Sequence, residues 1–213
     1  MTWELFLYRL PSEPSRARVA VWRELRRLGA LPLASAVVAV PVTEPFRGRL
    51  DAVAHRVESE GGSFYRFPLS SLDANQRARL QEEWNQLRVH EYGEIVEECN
   101  TKFLKEIEFE IFRDNLTSGE AEEIEADLDK IKQWFTRIQE RDLFGAAGRK
   151  EAVRAIKHCE AAFDDFVHRV YAAETADGPI TALPEAMPWG EMPDGTAEPA
   201  QDRPEKRRKG GKR

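Results

Sequence analysis

The chain has 213 residues and a mass of 24.4 kDa, with 41% hydrophobic and 33% charged residues, a formal net charge of -6 and a pI near 5.4. That length and apolar share allow one large or two small globular domains, and the acidic balance excludes indiscriminate coating of nucleic acid. Two cysteines, Cys99 and Cys159, exclude a disulfide framework; with no apolar run near the roughly 20 residues of a membrane span and no signal-type leader, a cytoplasmic protein is expected.

The first stretch reads WELFLYRLPSEPSRARVAVWRELRRL, residues 3–28. Leu5-Phe6-Leu7-Tyr8 is short and β-prone and stops at prolines, which predicts a buried central strand. Ser12 or Ser15 can cap the helix that follows, whose Ala17, Val21, Leu25 and Leu28 share one face. Arg16, Arg23 and Arg27 stack on the opposite face, with Arg26 beside them. Gly29 suits the residue after the helix end. Two short strands follow on either side of Ala34-Ser35, the first confined by Pro32 to an edge or an interrupted pairing. Thr43 and Pro45 start a second helix with Leu50, Val53, Ala54 and Val57 on its buried side; Gly61-Gly62 ends it, and residues 63–68 alternate as a fourth strand. The expected fold class is therefore α+β: β-α-β-β-α-β, the ferredoxin-like split βαβ pattern, over residues 1–70.

From Asp73 the periodicity is helical, which predicts a helical domain over 73–174. Leu80, Trp84 and Leu87 hold one phase, and Tyr92, Ile95, Val96, Cys99, Phe103 and Ile107 another. The slip predicts a kink or boundary around residues 90–93. Thr117 and Glu120 have the spacing of a capping box, followed by a coiled-coil seam of Ile124, Leu128, Ile131, Phe135 and Ile138. A last helix over 149–174 completes a helical hairpin, with the preceding long helix as a third member. Residues 175–213, rich in Pro, Gly and Ala and ending in a basic cluster, are expected to be a disordered tail.

Charge follows the same divisions. Lys and Arg outnumber Asp and Glu ten to seven in residues 1–68, whereas acids lead ten to five in 69–112 and fourteen to ten in 113–174; the tail holds seven of each. The basic excess lies in the segment that carries the arginine helix. Arg9, Arg16, Arg23 and Arg27 are the candidates for DNA phosphate or oxyanion contact, because guanidinium forks match phosphate geometry. The plainer account is a solvated helix face partly compensated by Glu24. Both cysteines lie on apolar stripes, and no CxxC or HxxxH pair is present, so no metal or cofactor is expected. Adjacent carboxylates such as Glu97-Glu98 do not face one another on a helix; with no phosphate loop, nucleophile elbow or HExxH, no enzyme is expected.

The string Tyr8-Arg9-Leu10-Pro11-Ser12-Glu13-Pro14-Ser15-Arg16, with Val19-Ala20-Val21-Trp22-Arg23 and Leu28-Gly29-Ala30, closely resembles the opening of the ChrB family of bacterial chromate-resistance regulators. Glu125-Ala126-Asp127-Leu128 and Arg141-Asp142-Leu143-Phe144-Gly145 resemble the same family's N-terminal domain. The resemblance implies chromate-responsive transcriptional control, with this part as the DNA-binding half. It implies DNA as a partner and chromate or a related oxyanion as effector; a homodimer is expected as well. Full-length members carry a further C-terminal domain, so the alternative is an interaction module whose hairpin docks a separately encoded C-terminal partner. The layout also resembles, more distantly, the small CRISPR-associated ferredoxin-like nucleases and the C-terminal part of phenylacetate-type repressors. The nucleases place an acidic metal ligand where this chain has Arg9, and a cation there cannot hold Mg²⁺.

Overall fold

The computed structural model describes residues 1–13 and 15–176. Ser12 and Ser15, the expected caps, flank Pro14, which lies outside the described residues, and Ser15 is the first residue of α1; of the tail expected to be disordered over 175–213, Thr175 and Ala176 belong to α6 and the rest lies outside the described residues. The elements are β1 (Trp3–Arg9), α1 (Ser15–Leu28), β2 (Leu31–Ala34), β3 (Val37–Pro41), α2 (Glu44–Ser59), β4 (Ser63–Leu69), α3 (Ala74–Glu98), a π-helical turn (Cys99–Phe103), α4 (Leu104–Phe112), α5 (Ser118–Gln139) and α6 (Arg149–Ala176). The strands form one antiparallel sheet in the order β2-β3-β1-β4. The expected apolar strand β1 is thus central, and Pro32 sits on the edge strand β2, beside an irregularity between Pro32 and Ala34.

Helix α1 buries Ala17, Val21, Leu25 and Leu28, and α2 buries Leu50, Val53, Ala54 and Val57, the two predicted stripes. Both stripes join Phe6, Val38 and Val40 of the sheet in one apolar cluster. The buried Glu4 of β1 is matched by Arg66 of β4, which donates to it through Nη2 at 3.0 Å and also reaches Asp51 of α2. Thr43 occupies the N-cap of α2, yet its hydroxyl makes no cap bond. The reason is local: Pro45 has no amide to offer, and the Phe46 amide already donates to the Thr43 carbonyl at 3.1 Å.

The sheet's cluster continues into the helices. Trp84 of α3 is fully buried between Trp3 (5.7 Å, edge-on) and Phe46 (5.6 Å, edge-on), and its indole N–H donates to the Arg141 carbonyl at 3.0 Å. Leu80, Leu87, Leu143 and Phe144 pack beside it. A second cluster fills the space among α3, the π turn, α4, α5 and α6, built from Tyr92, Ile95, Cys99, Phe103, Ile124, Leu128, Ile138, Cys159 and Phe166. Thr117 caps α5 as expected by accepting from the Glu120 amide, while the Glu120 carboxylate turns to Asn115. The hairpin closes at its far end where the Ser118 amide donates to Glu174 at 2.9 Å.

The kink expected around residues 90–93 is not there; α3 runs unbroken to Glu98. Arg88, only 1% exposed, fills the gap between Trp84 and Tyr92, so the buried stripe is continuous although one member is charged. The irregularity comes about two turns later. Cys99, Phe103 and Ile107 are spaced by four, and each such step overshoots an α-helical turn by about 40°. The π turn, in which the Leu104 amide bonds the Cys99 carbonyl, absorbs the excess and keeps the stripe facing α5 and α6. Trp84→Ala should cost about 4 kcal/mol of unfolding free energy, because it empties the space joining sheet and helices and frees the Arg141 carbonyl; urea denaturation measures it.

Candidate anion-binding groove

Helix α1 ends at Leu28, and Gly29 takes φ +78° there. The Gly29 amide bonds the Arg26 carbonyl (2.9 Å) and the Ala30 amide bonds that of Leu25 (3.0 Å), which closes the helix. The carbonyls of Arg27 and Gly29 stay free of backbone partners. Two arginines from distant helices supply them: Arg141 Nη1 donates to Arg27 O at 2.8 Å, and Arg88 approaches Gly29 O at 3.4 Å. Cations at this end also meet the negative pole of the helix. A Cβ at position 29 would lie 2.5 Å from Arg141 Cδ and 2.7 Å from Arg88 Nη1, so only glycine fits.

One carboxylate balances both guanidiniums. Glu91 accepts from Arg141 Nη2 at 3.0 Å and lies 2.7 Å from Arg88 Nε as an ion pair without hydrogen-bond geometry. The Arg88 guanidinium also lies 4.9 Å over the Trp84 ring. Burial pulls the Arg88 pKa below its ordinary value and neighbouring Arg141 lowers it further, while Glu91 acts against both. Beside this network Asp142 accepts from the Tyr92 hydroxyl (3.1 Å) and from the Ala146 amide (2.8 Å). Burial, followed by the Asp142 charge and hydrogen bond, raises the Tyr92 phenol well above its ordinary value of 10.0.

This anchoring sets the arginine face of α1 against α5. Two adjoining cavities share Arg27, Arg137 and Arg141. One, of about 380 Å³, also takes in Arg49 and Glu140; the other, of about 330 Å³, is walled by Trp22 and Trp134 and lined by Arg23 and Arg26. Glu91 and Glu94 also line the second cavity; Glu91 is held by Arg88 and Arg141, and Glu94 has only His90 beside it among the described residues, at 3.7 Å. Glu140 accepts from Arg49 at 2.9 Å, and Glu24, expected to offset the arginine face, instead pairs with Arg56 of α2 at 2.5 Å. Among the described residues, Arg23, Arg26, Arg27 and Arg137 have no carboxylate within salt-bridge distance. Arg26 lies 5.4 Å over the Trp22 ring, and Arg137 touches Gln133 at 3.4 Å. Four guanidiniums with no carboxylate at salt-bridge distance among the described residues, in cavities that Glu91 and Glu94 also line, leave the groove with a net basic lining suited to phosphate or another oxyanion.

Of the four arginines singled out in the sequence, Arg23 and Arg27 line this groove. Arg9 and Arg16 are exposed but line neither cavity. Arg9 ends β1 opposite Ser63, and Arg16 lies in the first turn of α1, roughly 16 Å along the helix from Arg27 at 1.5 Å per residue. Sequence reasoning missed Arg137 and the Arg88–Glu91–Arg141 network. The string Arg141-Asp142-Leu143-Phe144 did mark the place: Arg141 holds α1, Asp142 holds Tyr92, and Phe144 stacks on Trp3 at 6.2 Å. No group of three or more His, Cys, Asp or Glu among the described residues could hold a metal.

Glu91→Gln leaves two buried guanidiniums sharing no anion and should destabilise the fold by about 3 kcal/mol, measured by urea denaturation; a loss under about 1 kcal/mol contradicts the balancing role. Tyr92, with its phenol pKa raised on folding, adds stability that is full below pH 10 and is lost as pH rises through the folded-state value. Tyr92→Phe should therefore flatten the alkaline limb of the stability profile above pH 10, followed by circular dichroism.

No helix among the described residues is long and apolar enough to cross a membrane. No curated protein matches the chain. The family model described as Protein ChrB, N-terminal, matches residues 18–177, a span that runs from the arginine helix to the end of α6. The chain belongs to the ChrB N-terminal family, which ties it to chromate resistance.

Proposed function

We propose that this protein is a non-enzymatic regulator of chromate resistance that binds DNA phosphates through the groove between α1 and α5. The carrying observation is the cluster of Arg23, Arg26, Arg27 and Arg137, which lack carboxylate partners among the described residues. The sheet with α1 and α2 is read as a ferredoxin-like split βαβ unit, a scaffold that offers α1 to a ligand along its length. Arg9 and Arg16 extend the basic surface toward the other end of that helix, for a backbone longer than the groove. A chain of net charge -6 binds a polyanion by such a local concentration of cations, with Trp22 and Trp134 giving the phosphates a low-dielectric wall. The same chemistry accommodates chromate or a related oxyanion as effector, and a homodimer would present two such grooves to a two-fold operator.

A second reading has its own support. Phe109 and Phe112 on α4 and Val167 and Tyr171 on α6 are exposed, Phe112 by 86%. Apolar side chains left open on the helical part fit an interaction module that docks a separately encoded C-terminal ChrB-type partner.

Mobility-shift titration against the gene's own upstream region, over a range of salt, separates the two. A shift at low salt whose affinity falls steeply with salt is expected, and Arg23→Ala with Arg27→Ala should weaken it across sequences and lower the log–log salt slope by about 2. No shift at low salt, with co-purification of a neighbour-encoded protein, would replace the first reading by the second.

A further inference from the structure

A third cavity, of about 460 Å³, lies where α1, the β2–β3 hairpin and α3 meet. Its volume falls in the range of roughly 300–1,000 Å³ typical of small-molecule sites. Trp22 and Leu25 of α1, Pro32 of β2, Val38 of β3 and Leu87 of α3 give it apolar walls. The charged part of its lining is Arg88, Glu91 and Glu94, all within two turns of α3, with Arg26 of α1 opposite in sequence and His90 between the first two. The cavity adjoins the basic groove, because Trp22, Arg26, Glu91 and Glu94 line both, but Arg88 and the hairpin belong to this one alone.

Arg88 is the polar group buried deepest in it. At 1% exposure its two Nη atoms reach a single carbonyl, Gly29 O, at 3.4 and 3.5 Å, and its Nε has no hydrogen-bond partner. Glu91 Oε2 likewise accepts no hydrogen bond, and among the described residues Glu94 has only His90 beside it, at 3.7 Å. A donor and an acceptor left unmatched in one cavity both gain from a ligand that supplies the missing partners. The signs of the charges decide which ligand does so. A simple anion that pairs with Arg88 also meets Glu91 and Glu94, and a simple cation that pairs with the acids also meets Arg88 and Arg26. A molecule with both charges a short distance apart satisfies each without meeting a like charge unpaired. We propose that this cavity binds a free α-amino acid with an apolar side chain, its carboxylate on the Arg88 guanidinium, its ammonium on Glu91 and Glu94, and its side chain against the walls from Trp22 to Leu87. The planar guanidinium fork matches the carboxylate, and the walls reject polar side chains, which find no partners there. Binding at this site needs no DNA, so it stands or falls apart from the groove.

Isothermal titration calorimetry of the full chain, without DNA, against L-phenylalanine and L-leucine tests it. Saturable one-to-one binding of at least one of them is expected. Hydrocinnamate, which lacks the ammonium, phenethylamine, which lacks the carboxylate, and glycine, which lacks the side chain, should each bind about tenfold more weakly or worse. Glu94→Gln changes a partly exposed side chain and should weaken the amino acid about fivefold while leaving hydrocinnamate no weaker. Ala34→Trp, at an exposed edge-strand position that lines this cavity and not the groove, should block the site, with the fold checked by circular dichroism. No binding of either amino acid, hydrocinnamate or phenethylamine binding as tightly as they do, or affinity unchanged in both variants would overturn the proposal.

Discussion

The structure depends on a single carboxylate held between two buried guanidiniums at the end of α1. Glu91 is shared by Arg88 and Arg141, and those two arginines serve the Arg27 and Gly29 carbonyls that the helix end leaves open. Each partner would be costly alone: a guanidinium without its anion at 1% exposure, or a helix end with orphaned carbonyls. Together they balance one another's charge across the junction between the sheet layer and the helices, while Arg88 Nε, Glu91 Oε2 and Arg141 Nε stay without hydrogen-bond partners. Gly29 is part of the same constraint, because a side chain there would occupy the space of both arginines.

From that junction the chemistry of the surface follows. Helix α1 is fixed in rotation by Ala17, Val21, Leu25 and Leu28 and at its end by Arg141, so its arginines can face only α5 and solvent. Two nearby acids are drawn elsewhere, Glu24 to α2 and Glu140 to Arg49, and the arginines outnumber the carboxylates that remain along the groove, Glu91 and Glu94. A basic groove therefore persists in an acidic chain. Membership of the ChrB N-terminal family ties the chain, as a whole, to chromate resistance.

Much of the fold was legible because its signals are local. The apolar run before Pro11, the stripe of α1, the edge placement forced by Pro32 and the seam of α5 each follow from spacing and a few special residues. The parts that were not legible are those where a charged residue takes the place of an apolar one. Arg88 hid the continuity of α3 and produced a false kink, and the true irregularity, the π turn, lies where buried residues keep a spacing of four for too long. The groove was half legible. Arg23 and Arg27 share a face with Arg16 by periodicity, but Arg137 comes from another helix, and no one-dimensional pattern joins α1 to α5. Arg9 and Arg16 share the sequence neighbourhood without sharing the groove.

The central claim is that the anion site is composite, built from α1 and α5 together. The most direct measurement is the salt dependence of DNA affinity for Arg137→Ala, a residue on α5 that touches only Gln133 among hydrogen-bonding partners in the described residues. A composite groove predicts weaker binding and a log–log salt slope reduced by about 1, the share of a single phosphate. An affinity and slope equal to those of the unaltered protein would contradict it and leave α1 alone, or neither helix, as the binding surface.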